Sequence, residues 1–192
     1  MKKFLASALM LLAASTTTFA QNAVGSFSLQ PKAGISIADM TDTHGTTSRI
    51  GFVGGLEGEY QASDIFSLSL GVNYSQEGFK MKNSDNKIKL DYINVPILAN
   101  VYLTKGLAVK VGVQPGFNVG NSVTVDGNTT SSSKKDYDGI KSVALSIPVG
   151  LSYEISNVVL DARYNWGVTK AFDGLDSKNS VFQVTIGYKF QL

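Results

Sequence analysis

The chain has 192 residues, of which 43% are hydrophobic and 17% charged, with no cysteine. That is one domain's worth of sequence, and it excludes a disulfide framework or a cysteine-built zinc or redox centre. Lys and Arg number 17 against 15 Asp and Glu, a formal charge of +2, so no broad basic field argues for nucleic acid and no nucleic-acid partner is expected. The charged fraction is low beside the roughly 25% of soluble domains.

Met1-Lys2-Lys3 is a basic start, Phe4 to Ala14 an apolar core, and Thr18-Phe19-Ala20 a small-x-small cleavage site ahead of Gln21. That order predicts a secretory signal peptide over residues 1–20 and a mature domain over residues 21–192. The apolar run falls short of the roughly 20 residues that a membrane helix needs. No cysteine follows the cleavage site, which excludes a lipid-anchored lipoprotein. The 17 basic residues less Lys2 and Lys3 leave 15 against 15 acidic ones, so the mature chain is formally neutral. No other segment is long and apolar enough for a membrane helix, so any insertion must use strands.

The remainder alternates with period two. Phe27, Leu29, Ala33, Ile35 and Ile37 oppose Ser28, Gln30, Lys32 and Ser36; Ile50, Phe52, Leu56 and Tyr60 oppose Gly51, Gly55, Glu57 and Glu59. Phe66, Leu68, Leu70, Val72 and Tyr74 then oppose a Ser/Gly/Asn face, and Ile93, Val95, Ile97, Ala99, Val101 and Leu103 oppose Asn94, Asn100 and Tyr102. Leu107 to Val119, Val143 to Ile155, Val158 to Val168 and Val181 to Leu192 repeat the pattern. Eight strands with one apolar and one polar face follow, and no convincing helix. Pro31, Pro96, Pro115 and Pro148 fall inside these runs, where a ladder donor is lost, so bulges or barrel ends are expected there.

The connections alternate in length. Ala62-Ser63-Asp64, Thr104-Lys105-Gly106 and Ser156-Asn157 are short, whereas 39–49, 78–87, 120–139 and 169–180 read as long polar loops. Tight turns at one end and larger loops at the other are the layout of an outer-membrane barrel. An even strand count then places both termini in the periplasm.

Periodicity alone leaves open whether the apolar face lines a core, as in a soluble lipocalin-like carrier, or meets lipid. Composition separates the two. A water-facing barrel exterior should be rich in Lys and Glu, yet the polar face is mostly Ser, Gly, Asn and Gln, which suits the narrow inside of eight strands. Aromatics near strand ends (Tyr60, Phe66, Tyr74, Tyr102, Phe117, Tyr153, Trp166, Tyr188, Phe190) read as interfacial girdles. The expectation is an all-β, eight-stranded antiparallel up-and-down transmembrane β-barrel in the outer membrane, with lipid as its medium. Its inward charges would be Lys32, Glu57, Glu59, Lys110, Glu154, Asp161, Arg163 and Lys189. Both signs are present, which favours a salt-bridged plug over an open pore or an ion path, because unpaired charge in a confined lumen is costly.

Several segments in order resemble the PorT-like outer-membrane β-barrel domain family: Lys32-Ala33-Gly34, Tyr74-Ser75-Gln76-Glu77-Gly78, Leu90-Asp91-Tyr92-Ile93-Asn94-Val95-Pro96, Gly112-Val113-Gln114-Pro115-Gly116, Asp161-Ala162-Arg163-Tyr164-Asn165-Trp166-Gly167 and Gly187-Tyr188-Lys189-Phe190. The resemblance implies an eight-stranded integral barrel of the Gram-negative envelope. The member that gives the family its name belongs to a protein-secretion and gliding apparatus. The ending Phe190-Gln191-Leu192 departs from the terminal aromatic residue usual for barrel insertion.

Candidate chemistry is sparse. His44, the one histidine, stands beside Asp42 and Thr43 without a positioned serine motif, so a solvated loop is favoured over a lipid-modifying nucleophilic set. Asp126, Asp136 and Asp138 match no calcium-loop spacing, and Lys134-Lys135 opposes a divalent ion. Gly54-Gly55 carries no phosphate-loop pattern and reads as a device for curvature and close packing. The Ser/Thr-rich stretch 128–133 reads as a mobile loop. No catalytic residue, cofactor or metal is expected. The expected role is that of a non-enzymatic anchor presenting loops to a protein partner in the envelope, with contacts sought at Tyr137, Asp138, Phe172 and Asp173. A small-solute channel is the alternative.

Overall fold

A computed structural model describes residues 23–41, 46–81, 86–125, 128–132, 141–170 and 178–192. These form strands β1 (Phe27–Met40), β2 (Thr46–Ser63), β3 (Phe66–Met81), β4 (Lys87–Asn94), β5 (Ile97–Thr104), β6 (Leu107–Val125), β7 (Asn128–Ser132), β8 (Val143–Ile155), β9 (Val158–Lys170), β10 (Lys178–Tyr188) and β11 (Phe190–Gln191). Every pairing is antiparallel. The order runs β1–β2–β3, then β4 and β5 together, then β6–β8–β9–β10, and β10 pairs back onto β1. The sheet therefore closes as a ring of eight positions. β4 and β5 share one of them, β11 continues β10 past Lys189, and β7 pairs β6 alone. Apart from β7, closure pairs each ring position on both sides among the described residues, the condition for strands to stand in hydrocarbon.

The prolines mark ladder gaps, not barrel ends. Pro96 separates β4 from β5; Pro115 lies across that gap, and its carbonyl accepts the Val95 N–H at 2.8 Å. Pro31 faces the step between β10 and β11, because β1 pairs Lys32 with Gly187 and then Leu29 with Phe190. Pro148 sits where the β6–β8 register passes from Val111↔Val149 to Gln114↔Ser146 without an intervening pair. Each removes a donor that the ladder does not use at that point. At one end the turns are tight: Asp64–Ile65, Lys105–Gly106 and Ser156–Asn157. Gly106 at φ 85° and Ser156 at φ 58° supply the left-handed backbone that two such turns require.

At the other end the strands outlast the sequence reading. Much of 39–49, 78–87, 120–139 and 169–180, expected as loop, is strand: β1 continues to Met40, β3 to Met81, β6 to Val125 and β9 to Lys170. Asn128–Ser132 of the Ser/Thr-rich stretch form β7, paired from Asn121↔Ser132 to Val125↔Asn128. Main-chain pairing needs no apolar face, so the ladder continues through polar sequence.

The faces are inverted relative to a soluble domain. Ile50, Leu70 and Trp166 are 68%, 58% and 60% exposed, whereas Glu57, Arg163 and Lys189 are 1%, 2% and 2% exposed. The outward series Phe182, Val184, Ile186, Tyr188, Phe190 is exposed along its whole length. A lipocalin-like carrier is excluded by that inversion. At the turn end, Phe27 and Tyr60 pair at 4.7 Å between ring centroids, as do Tyr188 and Phe190. Tyr102 is a correction: its hydroxyl points inward and donates to the Glu59 carboxylate, so it belongs to the interior and not to a girdle.

Leu70 lies outward and midway along the apolar face of β3, between Phe66 and Tyr74. Leu70→Arg is expected to destabilise the barrel by about 2–4 kcal/mol, as charge on a lipid face does near the midplane. Denaturant-driven unfolding in lipid vesicles measures it, and an unchanged midpoint would place this face in water.

Candidate functional site: the charged barrel interior

Alternation fixes which charges share the interior. Glu57 and Glu59 are two residues apart on β2, as are Asp161 and Arg163 on β9, so each pair projects from one face. All eight charged residues named from the sequence lie inside the barrel and make ion pairs there. Lys32 is ion-paired with Glu57. Lys110 Nζ stands 3.0 Å from Glu57 Oε1 and 3.1 Å from Asp161 Oδ2. Arg163 Nη2 lies 3.3 Å from Glu57 Oε2 and 2.9 Å from Asp161 Oδ2. Nearer the turn end, Lys189 Nζ is 3.2 Å from Glu59 Oε2 and 2.7 Å from Glu154 Oε2.

Charge closes to zero. The first cluster holds three cations and two acids, the second one cation and two acids, and Glu57 and Glu59 on β2 join them. Neutral groups complete the shell: Ser67 Oγ donates to Glu59 Oε1 at 2.7 Å, beside the Tyr102 hydroxyl. Asn157 Nδ2 in the β8–β9 turn donates to the Lys189 carbonyl at 2.9 Å. Every one of the eight ring positions contributes a group. In a low-dielectric interior such pairing offsets desolvation only when each ion has partners.

Glycines make room for these long side chains. Lys32 is flanked across the ladders by Gly55 and Gly187, Glu57 by Gly71, and both Lys110 and Arg163 by Gly150. A Cβ at Gly150 would stand 2.6 Å from the Ala162 carbonyl oxygen. One at Gly55 would meet the Val72 carbonyl oxygen at 2.2 Å, so the close packing expected at Gly54-Gly55 holds at Gly55. An eight-stranded lumen is only wide enough for side chains to fill, and small residues opposite large ones let them do so.

Two interior residues escaped the sequence reading. Arg49 fell inside the 39–49 segment taken as loop and Glu77 just before the 78–87 one, yet both are buried, and the Arg49 guanidinium donates to the Glu77 main-chain carbonyl. Glu77 has the parity of Asn73 and Ser75 on β3, the signal that would have found it. Its carboxylate accepts from Ser75 Oγ at 2.7 Å, Asn94 Nδ2 at 3.3 Å and Asn179 Nδ2 at 3.1 Å. Among the described residues no group of three or more His, Cys, Asp or Glu could hold a metal. Tyr137, Asp138, Phe172 and Asp173 lie outside the described residues, as do Asp42, His44, Asp126, Asp136 and Lys134-Lys135.

Glu57 neutralises three cations at once. Glu57→Gln leaves Lys32, Lys110 and Arg163 sharing Asp161, and is expected to cost about 3–5 kcal/mol, the range for stranding a buried charge. Adding Lys32→Met should recover part of the loss. Unfolding midpoints of the single and double variants check both statements.

The family described as outer membrane protein beta-barrel domain matches residues 19–173. Among solved structures, the chain is similar to Ail, the attachment invasion locus protein of Yersinia pestis, crystallised with the heparin analogue sucrose octasulfate. Identity is 18% over 87% of this chain and 99% of that one, with a TM-score of 0.55. Neisserial surface protein A is similar at 20% identity over 85% and 97% of the two chains, with a TM-score of 0.57. At these identities the likeness is one of fold. No curated protein matches the sequence.

Proposed function

Because this chain belongs to the family of outer membrane protein beta-barrel domains, we propose that it is a non-enzymatic membrane anchor whose lumen is plugged by its own side chains. On this reading the barrel holds a fixed depth in the outer membrane and presents its loop end to a protein partner. Residues 1–20 act as the export signal and residues 21–192 as the mature protein, with both termini in the periplasm. The loop residues Tyr137, Asp138, Phe172 and Asp173 remain the proposed contacts. The six ordered segments from Lys32-Ala33-Gly34 to Gly187-Tyr188-Lys189-Phe190 support a place in the PorT-like branch, and with it a secretion-associated role.

One observation carries the plugged lumen. Four cations meet four acids across the interior, each within ion-pairing distance of an opposite charge. A water-filled pore needs polar groups spaced around a void, whereas these are drawn onto one another. Ions entering would have to displace several such pairs together, each buried and neutralised.

Planar-bilayer recording of the purified barrel tests this. No stepwise conductance is expected from the wild-type protein at either polarity. Stable single-channel openings that vary with the size of the permeant ion would overturn the plug and favour a small-solute channel.

A further inference from the structure

Between the ion-paired cluster and the loop-end mouth lies a second interior compartment of different chemistry. Its walls include Glu77, Tyr92, Asn94, Gln114, Asn165 and Asn179, with Gly116, Ala144, Ser146 and Gly167 supplying the space. About 20 Å³ is open to the centre of a water-sized sphere, enough for one guest. Asn165 and Arg163 are successive inward positions on β9, so the ion pairs form the floor. Toward the mouth, Phe79 follows Glu77 on β3 and packs in an apolar cluster with Met40 and Ile88, while Leu90 is fully buried nearby on β4.

Among the described residues three groups in this chamber are incompletely served, one of them the Tyr92 hydroxyl, which is buried without a hydrogen-bond partner. The Glu77 carboxylate, buried, receives hydrogen bonds from Ser75, Asn94 and Asn179, all neutral; the Arg49 guanidinium is engaged by the Glu77 main-chain carbonyl and makes no ion pair with the carboxylate. The Asn165 side chain is 2% exposed, and neither its amide nitrogen nor its oxygen has a partner. A buried polar group without a partner is costly, and a buried carboxylate without a counter-charge is more so.

We propose that this chamber is a binding site for a single monovalent cation, held by the Glu77 carboxylate and the Asn165 amide oxygen, with the Tyr92 hydroxyl and Gln114 amide in the wall. One carboxylate balances one positive charge, and the void admits one water-sized guest. Calcium takes six to eight oxygens, commonly several carboxylates, and among the described residues the chamber wall offers a single acid. Sodium, potassium and ammonium share the required chemistry. With ion pairs on one side and an apolar cluster on the other, the ion is taken up as the barrel folds and acts as a structural counter-charge. This site goes beyond the anchoring role and stands whether or not a partner binds the loops.

The test uses the whole mature barrel refolded in detergent with sodium, potassium, ammonium or choline chloride at equal ionic strength. At least one of the three small cations should raise the melting temperature over choline by about 5 °C, and Glu77→Gln should erase that difference. Should Glu77→Gln fail to fold, Asn165→Leu, which fills the chamber from another strand, should erase it instead. Crystals grown with thallium(I) acetate should show one anomalous peak between Glu77 and Asn165. Equal melting in all four salts, or a chamber holding only water in the thallium crystals, would overturn the proposal; so would a salt effect or thallium peak that survives both substitutions.

Discussion

Hydrocarbon accepts no hydrogen bonds, and that constraint organises the molecule. A strand in lipid must give every main-chain donor to a neighbouring strand, so the sheet has to close, and here β10 returns to β1 over nine register pairs from Lys32↔Gly187 to Met40↔Asn179. Closure decides what the side chains do. The outward set becomes the solvated surface of the barrel in lipid and is apolar; the inward set is confined to a narrow lumen and is polar, small or ion-paired. Tolerance for broken ladders is correspondingly narrow. Pro31, Pro96, Pro115 and Pro148 stand at ladder gaps, where a missing N–H leaves little unsatisfied.

The interior inverts the usual meaning of a core. In a soluble domain, burial drives folding by removing apolar surface from water. In this barrel most of the buried side chains are polar or charged, chiefly serines, asparagines, glutamines and ions, and their contribution is mutual satisfaction. The turn-side half achieves this with charge: three cations and two acids beside one cation and two acids, summing to neutrality. The loop-side half is built differently, with asparagines around the Glu77 carboxylate and an apolar cluster of Met40, Phe79 and Ile88 beyond. The two halves share a wall at Arg163 and Asn165.

Fold and charged interior were legible because period-two alternation assigns a face to every residue once the apolar face is known. Lys32, Lys110 and Lys189 could be placed inside without any knowledge of their partners, since parity alone fixes them. The pairings could not be read: Arg163 meets Glu57 across 106 positions of sequence through the register of a closed sheet. Strand ends were the weaker part. Arg49 was lost because polarity at 39–49 was equated with loop, and Glu77 because the alternation was followed only to the residues before it, whereas β2 and β3 stay paired from Thr46↔Met81 to Ser48↔Phe79. Tyr102 shows the opposite failure. An aromatic near a strand end suggested the membrane interface, but its parity with Asn100 turns the hydroxyl toward Glu59.

The single tryptophan offers a direct probe of which medium bathes the outward face. Trp166 projects from β9 between Tyr164 and Val168, all three exposed. In vesicles containing phospholipids brominated along the acyl chain, its fluorescence should be strongly quenched while aqueous iodide leaves it nearly unchanged. Strong quenching by iodide with no response to the brominated lipid would put the apolar face of this barrel in water and contradict the membrane-spanning assignment.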